Sequence, residues 1–282
     1  MFDKGKIGVQ FSTVRPALET MSLEDLLKGC ADLGYSCVEI SQVPMTPENV
    51  AIFKHAKEAY GMEVCAMNAM LDAMRPGMEC LEKDYDKILA DCEALDCHML
   101  RMGSGPIYSL HNREDVLRFC EKVNVFTDRL KKDGIDYYYH NHAFEFQKFE
   151  GETILDTIRE NSNLGFELDI HWIHAGGEDP IQVINRFAGR IRLLHLKDYR
   201  IVIPSVSFDE MRKLNNNPQY LAIQFAEIGE GTLDIKGCIE AGLQGGSEYF
   251  LIEQDKTYDR TPLEALKISH DNLVAMGYGD WF

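Results

Sequence analysis

The stretch Ala188–Asp198 reads AGRIRLLHLKD, and it contains the repeating unit that decides the fold. Gly189 suits the left-handed position at which a helix ends, and a short apolar run follows it directly. That run has the length of a buried strand, and it ends in the polar residues His195, Lys197 and Asp198. The stretch therefore predicts a helix end, a turn, and a strand whose last residues carry chemically active side chains.

The same unit recurs along the whole chain. Gly34, Gly61 and Gly134 also stand between a segment with helical spacing and a short apolar run. Ser22 precedes one such segment at a typical helix-capping position, and Asp25 follows it three residues later in the first turn. The predicted strands are Lys6–Thr13, Cys37–Ser41, Glu63–Ala69, His98–Gly103, Asp136–His142, Gly165–Ile170, Ile191–Asp198 and Tyr249–Asp255. Eight units of about 35 residues predict an α/β fold in which residues 1–282 form one domain, a single (β/α)₈ TIM barrel.

A doubly wound parallel sheet is the alternative fold with this alternation. Its phosphate-binding turn, G-x-G-x-x-G after the first strand, is absent from the sequence, so the barrel is preferred.

One segment departs from the regular spacing of the units. Tyr199–Glu230, after the seventh strand, is too long for a simple turn and contains the loop residues Asn215–Pro218. An insertion after a strand lies on the catalytic face of a barrel. We therefore expect either a lid or substrate wall, or a plain surface insertion.

Composition and charge exclude several classes of partner. The 282 residues include 46 Asp plus Glu against 29 Lys plus Arg, for a net charge of −17. Such a polyanion repels nucleic-acid phosphates and anionic lipid, so neither nucleic acid nor membrane is an expected partner. The eight cysteines occur without a C-x-x-C pair, which is typical of buried reduced thiols. The N-terminus lacks the pattern of a signal peptide, so a soluble, cytoplasmic protein is expected.

The carboxyl ends of the strands carry the candidate site, because in a barrel these ends surround one pocket. Their polar residues are Glu39, His140, His142, Glu145, Asp169, His171, His195, Lys197, Asp198, Glu253 and Asp255. So many carboxylates facing one pocket would raise one another's pKa unless a cation lay among them. Carboxylates with one imidazole suit Mn²⁺, Mg²⁺ or Co²⁺, and Zn²⁺ also fits. The sequence has no H-E-x-x-H, EF-hand or G-x-S-x-G motif, which disfavours a zincin protease, a calcium sensor and an α/β-hydrolase.

The motifs at these strand ends resemble a known family. YHNHAFEF follows the fifth strand, ELDIHW the sixth and LLHLKD the seventh, and the turn GEGTLD and the strand LIEQD come later. Together they resemble the xylose isomerase-like TIM barrels of the sugar isomerase/epimerase group. The resemblance implies a Glu–Asp–His–Glu metal site formed by Glu145, Asp169, His195 and Glu253, most typically with Mn²⁺. His142 is then a substrate-facing group and a possible substitute ligand.

The resemblance also implies a reaction, namely proton abstraction next to the carbonyl of a keto-sugar through an enediolate. Glu145 and Glu253 would act as base and acid on the two faces of the enediolate, with His142 as a further catalytic group. The expected substrate-binding residues are His171, Lys197, His140 and Glu39. A homo-oligomer is expected.

A lyase is the alternative, because the same enolate can expel a group from its β-carbon. Inosose dehydratases lose water in this way, and C-glycoside deglycosidases cleave a 3-oxo-glycoside; the latter implies a hetero-oligomer with a small subunit. A metal-dependent endonuclease of the same superfamily is disfavoured by the net charge of −17. A non-enzymatic sugar-binding role is the remaining alternative.

Several of these residues also have a purely structural interpretation. FEFQKFEGE, which contains Glu145, also reads as a charged loop, and Lys197 is equally well explained by a salt bridge with Asp198. Trp172 and Phe11 fit either a pocket wall or plain core.

Overall fold

A computed structural model describes residues 4–203, 207–213 and 222–282 of the chain. Eight parallel strands close a barrel in which each strand pairs with the next in sequence and the last pairs with the first. The strands are β1 Lys6–Gln10, β2 Cys37–Ile40, β3 Glu63–Asn68, β4 Met99–Met102, β5 Asp136–His140, β6 Gly165–Asp169, β7 Ile191–Leu196 and β8 Tyr249–Ile252. The structure confirms the predicted (β/α)₈ TIM barrel, and each strand overlaps its predicted range.

Helices surround the barrel. Those within the described residues are α1 Leu23–Asp32, α2 Pro47–Tyr60, α3 Leu81–Leu95, α4 Arg113–Lys132, α5 Ile154–Asn161, α6 Ile170–Ala175, α7 Pro180–Arg186, α8 Phe208–Lys213, α9 Ile235–Gly245 and α10 Pro262–Leu273. Ser22 caps α1 as predicted, since its hydroxyl accepts from the Asp25 amide at 3.0 Å. Gly61 ends α2 with φ of 71°. Among the described helices, none is both long and apolar enough to cross a bilayer.

The barrel interior changes from apolar to charged over one pleat. Its lower layer is a buried cluster formed by Cys37, Cys65, Ala66, Met99, Tyr138, Leu193 and Leu251. Side chains two residues apart lie on the same face of a strand. The next inward positions are occupied by buried polar residues, namely Glu39, Arg101, His140, His195 and Glu253. The barrel interior is therefore ionic near the carboxyl ends of the strands, and an apolar layer of side chains lies beneath the ionic one.

The segment after β7 contains a two-stranded antiparallel ribbon. Asp198–Ile201 pairs with Ile223–Ala226, and Tyr199 lies opposite Phe225. The predicted insertion Tyr199–Glu230 therefore includes α8 and all of this ribbon except Asp198, whereas the predicted loop Asn215–Pro218 lies outside the described residues. A second short hairpin, Lys148–Phe149 with Glu152–Thr153, follows β5.

Candidate metal centre

Four buried side chains converge at the carboxyl ends of β5 to β8. His140, Asp169, His195 and Glu253 each offer a ligand atom, and these atoms lie within 4.8 Å of one another. His195 Nδ1 is 3.0 Å from Glu253 Oε2, and Asp169 Oδ2 is 3.7 Å from His140 Nε2. The two imidazoles and two carboxylates are therefore spaced as ligands around a single ion would be.

Two of these ligand atoms are buried without a hydrogen-bond partner in the described part of the chain. They are His140 Nε2 and Asp169 Oδ2. The other atom of each group is engaged: His140 Nδ1 lies 3.3 Å from the Gly103 carbonyl, and Asp169 Oδ1 accepts from the Trp172 amide at 2.8 Å. Buried polar atoms are rarely left unpartnered, and a bound ion is one explanation where they are. This arrangement fits a divalent cation.

The charges of three of the four ligands also suit a cation. At His195 a cation would have to displace a proton, because Glu167, Glu39 and Glu253 outweigh burial and raise the pKa of this ring well above its usual range. Burial lowers the pKa of His140 well below its usual range, so its ring is neutral and able to ligate. Burial raises the pKa of Asp169 to about 6. Burial would also raise the pKa of Glu253, but Lys197 and His195 outweigh it and hold that pKa well below its usual range. Glu253 is therefore anionic at neutral pH.

The second nitrogen of His195 is held by a buried ionic group below the cluster. Nε2 lies 3.1 Å from Glu39 Oε2 and 3.1 Å from Glu167 Oε1. Arg101 contacts both acids, with Nη2 2.6 Å from Glu39 Oε1 and Nε 3.4 Å from Glu167 Oε2. A carboxylate on the outer nitrogen of a histidine fixes the ring for metal binding through the other nitrogen.

The two acids of this group differ in charge. Burial opposes ionisation of Glu39, but Arg101 and His195 hold its pKa below the usual range. Burial and the neighbouring Glu39 carboxylate raise the pKa of Glu167 to about 8. At neutral pH Glu39 is therefore ionised and Glu167 is protonated. Glu39, predicted to bind substrate, lies instead beneath the ligands.

Arg101 and Glu167 were not identified from the sequence. The available signals were a lone arginine inside the apolar run HMLRMG, and an acid two residues before Asp169 on the same strand face.

Glu145 does not join the cluster, contrary to the sequence prediction. Its carboxylate is fully buried, where Oε1 accepts from the Tyr139 hydroxyl and Oε2 accepts from the His142 amide, both at 2.9 Å. Tyr139 and His140 are adjacent on β5 and therefore point to opposite sides of the barrel wall. Glu145 binds the outward-facing Tyr139, and His140, which was predicted to bind substrate, lies in the cluster where the prediction placed Glu145.

Three aromatic side chains border the cluster on its outer side. The His142 ring lies 4.9 Å from that of His140 and 5.5 Å from that of Trp172, measured between centroids. Burial lowers the pKa of His142 to about 3 and that of His171 to about 4. Both rings are therefore neutral, and Nδ1 of each has no hydrogen-bond partner within the described ranges. They are available to exchange protons with, or hydrogen-bond to, a bound molecule.

Lys197 contributes a buried positive charge to the same region. Its Nζ is 2.8 Å from Asp255 Oδ2 and 3.2 Å from Glu253 Oε2. It also lies over the Trp172 ring at 4.9 Å from the centroid. The alternative pairing with Asp198 is not formed, because the Asp198 carboxylate instead accepts backbone amides. Phe11 is fully buried against Phe53 and belongs to the core.

Comparison with known proteins agrees with this fold. A family model described as xylose isomerase-like TIM barrel matches residues 27–270. An inosose dehydratase of Geobacillus thermodenitrificans is 28% identical over 138 residues, which are 48% of this chain and 45% of that protein. The match thus spans about half the length of the curated relative.

Solved structures share the fold over nearly the whole chain. A sugar phosphate isomerase/epimerase from Parabacteroides distasonis superposes with a TM-score of 0.77 at 20% identity, covering 98% of this chain and 99% of that one. The IolI protein, solved with a bound zinc atom, superposes with a TM-score of 0.65 at 16% identity, covering 98% and 99%.

Proposed function

The chain belongs to the xylose isomerase-like TIM barrel family, and from this we propose that it is a divalent-metal-dependent sugar isomerase or epimerase. Its substrate is a keto-sugar or sugar derivative, from which it removes a proton next to the carbonyl. The observation that carries the proposal is the convergence of His140, Asp169, His195 and Glu253, with two of their ligand atoms buried and unpartnered.

The donor set narrows the choice of cation. Two imidazoles and two carboxylates form a borderline set that suits Zn²⁺, Mn²⁺ or Co²⁺ better than Mg²⁺, because His140 replaces the glutamate expected from the sequence. We keep Mn²⁺ and Zn²⁺ as the leading candidates. A cation held there would polarise the substrate carbonyl and stabilise the negative charge of the enediolate.

Glu253 is the proposed base. It is anionic at neutral pH, and its Oε1 is approached at 3.4 Å by the Ser12 hydroxyl, whereas Oε2 faces His195 and Lys197. The neutral His142 ring is the proposed partner that first accepts the proton of a substrate hydroxyl and then returns this proton to carbon, after which protonated Glu253 gives its proton back to the hydroxyl oxygen. Return to the opposite face of the same carbon gives an epimer, and return to the neighbouring carbon gives an isomer. His171 and Lys197 are proposed to bind substrate oxygens.

β-Elimination is the second candidate, and a specific observation favours it. The inward position of β5 carries an imidazole rather than a carboxylate, and the curated relatives with detectable sequence similarity are inosose dehydratases. In this reaction Glu253 removes the proton and then, as the carboxylic acid, gives it to the departing hydroxyl or aglycone, to which the neutral His142 ring would donate a hydrogen bond. The product is an unsaturated ketone, which neither an isomerase nor an epimerase forms.

Solvent exchange tests the proposal. The protein is stripped of metal, reloaded with Mn²⁺ or Zn²⁺, and incubated in D₂O with unphosphorylated ketohexoses, an inosose and a 3-oxo-glucoside. We expect metal-dependent deuterium incorporation next to the carbonyl, seen by NMR. Glu253→Gln is expected to abolish exchange, while the control Glu145→Gln retains it because Glu145 lies outside the cluster. Exchange that is unaffected by metal or by Glu253→Gln would refute the proposal.

The same incubations separate the two reactions. An epimer or isomer supports the first candidate, and an enone absorbance or a released aglycone supports elimination. Homo-oligomer formation, or assembly with a small subunit in the case of a C-glycoside lyase, stays a prediction that sedimentation analysis can test.

A further inference from the structure

The ribbon after β7 has one apolar face that begins at the metal centre and continues outward. We propose that this face, formed by Tyr199, Ile201, Ile223 and Phe225, is a subsite for an apolar aglycone, such as an aryl ring, attached to the sugar. This proposal rests on the proposed function, because it assigns a substrate class to the same site.

The inner end of the face contacts the site. Tyr199 and Phe225 are cross-strand partners and therefore lie on the same side of the ribbon. Their ring centroids are each 5.2 Å from that of His171. Phe225 also lies 6.4 Å from Trp172, and the Lys197 ammonium is 5.1 Å from its ring centroid. The inner end therefore packs against side chains that border the ligands.

The outer end of the face is exposed. Ile201 and Ile223 are the next cross-strand pair on the same side, and their exposed fractions are 61% and 48%. The opposite side of the ribbon carries Arg200 and Gln224, and Arg200 Nη1 is 3.1 Å from Glu230 Oε2. The polar side is thus engaged within the protein, whereas the apolar side is largely exposed at its outer end.

Continuity with the site identifies the occupant as part of the substrate. Two residues along a strand rise about 7 Å, so the isoleucine pair lies about one aromatic ring beyond Tyr199 and Phe225. Histidine, lysine and carboxylate groups bind the polar sugar at the inner end, whereas isoleucine side chains form no hydrogen bonds with hydroxyl groups. Apolar surface that adjoins a polar site is typical of ligand-binding grooves.

The test compares two glycosides that differ only in the aglycone. Methyl β-D-glucopyranoside and phenyl β-D-glucopyranoside have no carbonyl, so binding is measured by calorimetry on the metal-loaded full chain without turnover. We expect the phenyl compound to bind about tenfold more tightly, which corresponds to about 1.4 kcal/mol. The double variant Ile201→Ser/Ile223→Ser is expected to reduce this preference to less than about threefold and to leave methyl glycoside binding unchanged. Val125→Ser is the control, because Val125 is 66% exposed on α4 and outside the ribbon.

Three results would overturn the subsite. They are binding of neither glycoside, equal binding of both, or a phenyl preference that the double variant retains. Sedimentation of the unmodified chain and of the double variant is measured in parallel. If the unmodified chain is a dimer that dissociates in the double variant while the phenyl preference persists, the face is assigned to a second copy of the chain. Metal-dependent deuterium exchange into simple ketohexoses does not involve Ile201 or Ile223. Its failure would therefore refute the proposed function, while the comparison of phenyl and methyl glycoside binding would still test the subsite.

Discussion

Asp198 holds the turn that follows the ribbon, and its replacement by asparagine is predicted to destabilise the protein strongly. The side chain is fully buried. Its two oxygens accept five backbone N–H groups, from Tyr199 at 2.8 Å, Gly229 at 3.2 Å, Gly231 at 3.0 Å, Thr232 at 3.1 Å and Leu233 at 3.2 Å. The HLKD strand end and the GEGTLD turn of the sequence are therefore two parts of one structure.

The magnitude follows from the number of donors on each oxygen. Oδ1 accepts three N–H groups, and Oδ2 accepts those of Gly229 and Gly231. The best placement of an asparagine in Asp198→Asn puts its NH₂ at the Oδ2 position, where two N–H groups lose their acceptor. Each buried unsatisfied N–H costs about 1–3 kcal/mol, so the free energy of unfolding should fall by about 2–6 kcal/mol.

Urea denaturation followed by tryptophan fluorescence measures this loss. Asp234→Asn is the matched control in the same turn, because Asp234 caps α9 by accepting the Gly237 amide at 2.9 Å, and asparagine caps equally well. The control should change the free energy of unfolding by less than about 0.5 kcal/mol. A loss below about 1 kcal/mol in Asp198→Asn would refute the assigned role of the five N–H groups.

Two further predictions concern the cation. Glu39→Gln removes the ionised partner of His195 Nε2 and should weaken Zn²⁺ binding, measured by calorimetry, about 10–100-fold. Glu167→Gln should change the Zn²⁺ affinity less than about threefold, since Glu167 is already neutral at pH 7. Equal losses in the two variants would contradict the assigned charges. Zn²⁺ affinity should also weaken as pH falls from 7 to 5. Protons compete with the cation at His195, whose pKa its neighbouring acids raise, and at Asp169, whose pKa burial raises to about 6. An affinity that is flat over this range would exclude both as ligands.

Local signals explain why the barrel was predictable. Gly34 and Gly134, with φ of 102° and 81°, directly follow a helix C-cap as predicted. Gly189 is also left-handed, with φ of 84°, but it lies two residues after Phe187, the C-cap of α7. Asp169, His195 and Glu253 meet because each ends a strand of the same barrel, which requires only the strand order.

Side-chain direction explains what the sequence did not reveal. Glu145 was predicted as a ligand because it follows β5, but its position depends on the outward-facing Tyr139. His140 replaces it because β5 turns that side chain inward. Arg101 and Glu167 contribute only through their register with Glu39 across the barrel, and a single sequence does not state that register.

The central claim is that His140, Asp169, His195 and Glu253 bind one divalent cation. A crystal structure of the protein grown with Zn²⁺ or Mn²⁺, with anomalous data collected at the metal edge, tests it directly. One strong peak is expected at about 2.0–2.3 Å from a ligand atom of each of the four residues, with Glu145 still hydrogen-bonded to Tyr139. A metal bound by Glu145 in place of His140, or no peak among the four side chains at saturating metal, would contradict it.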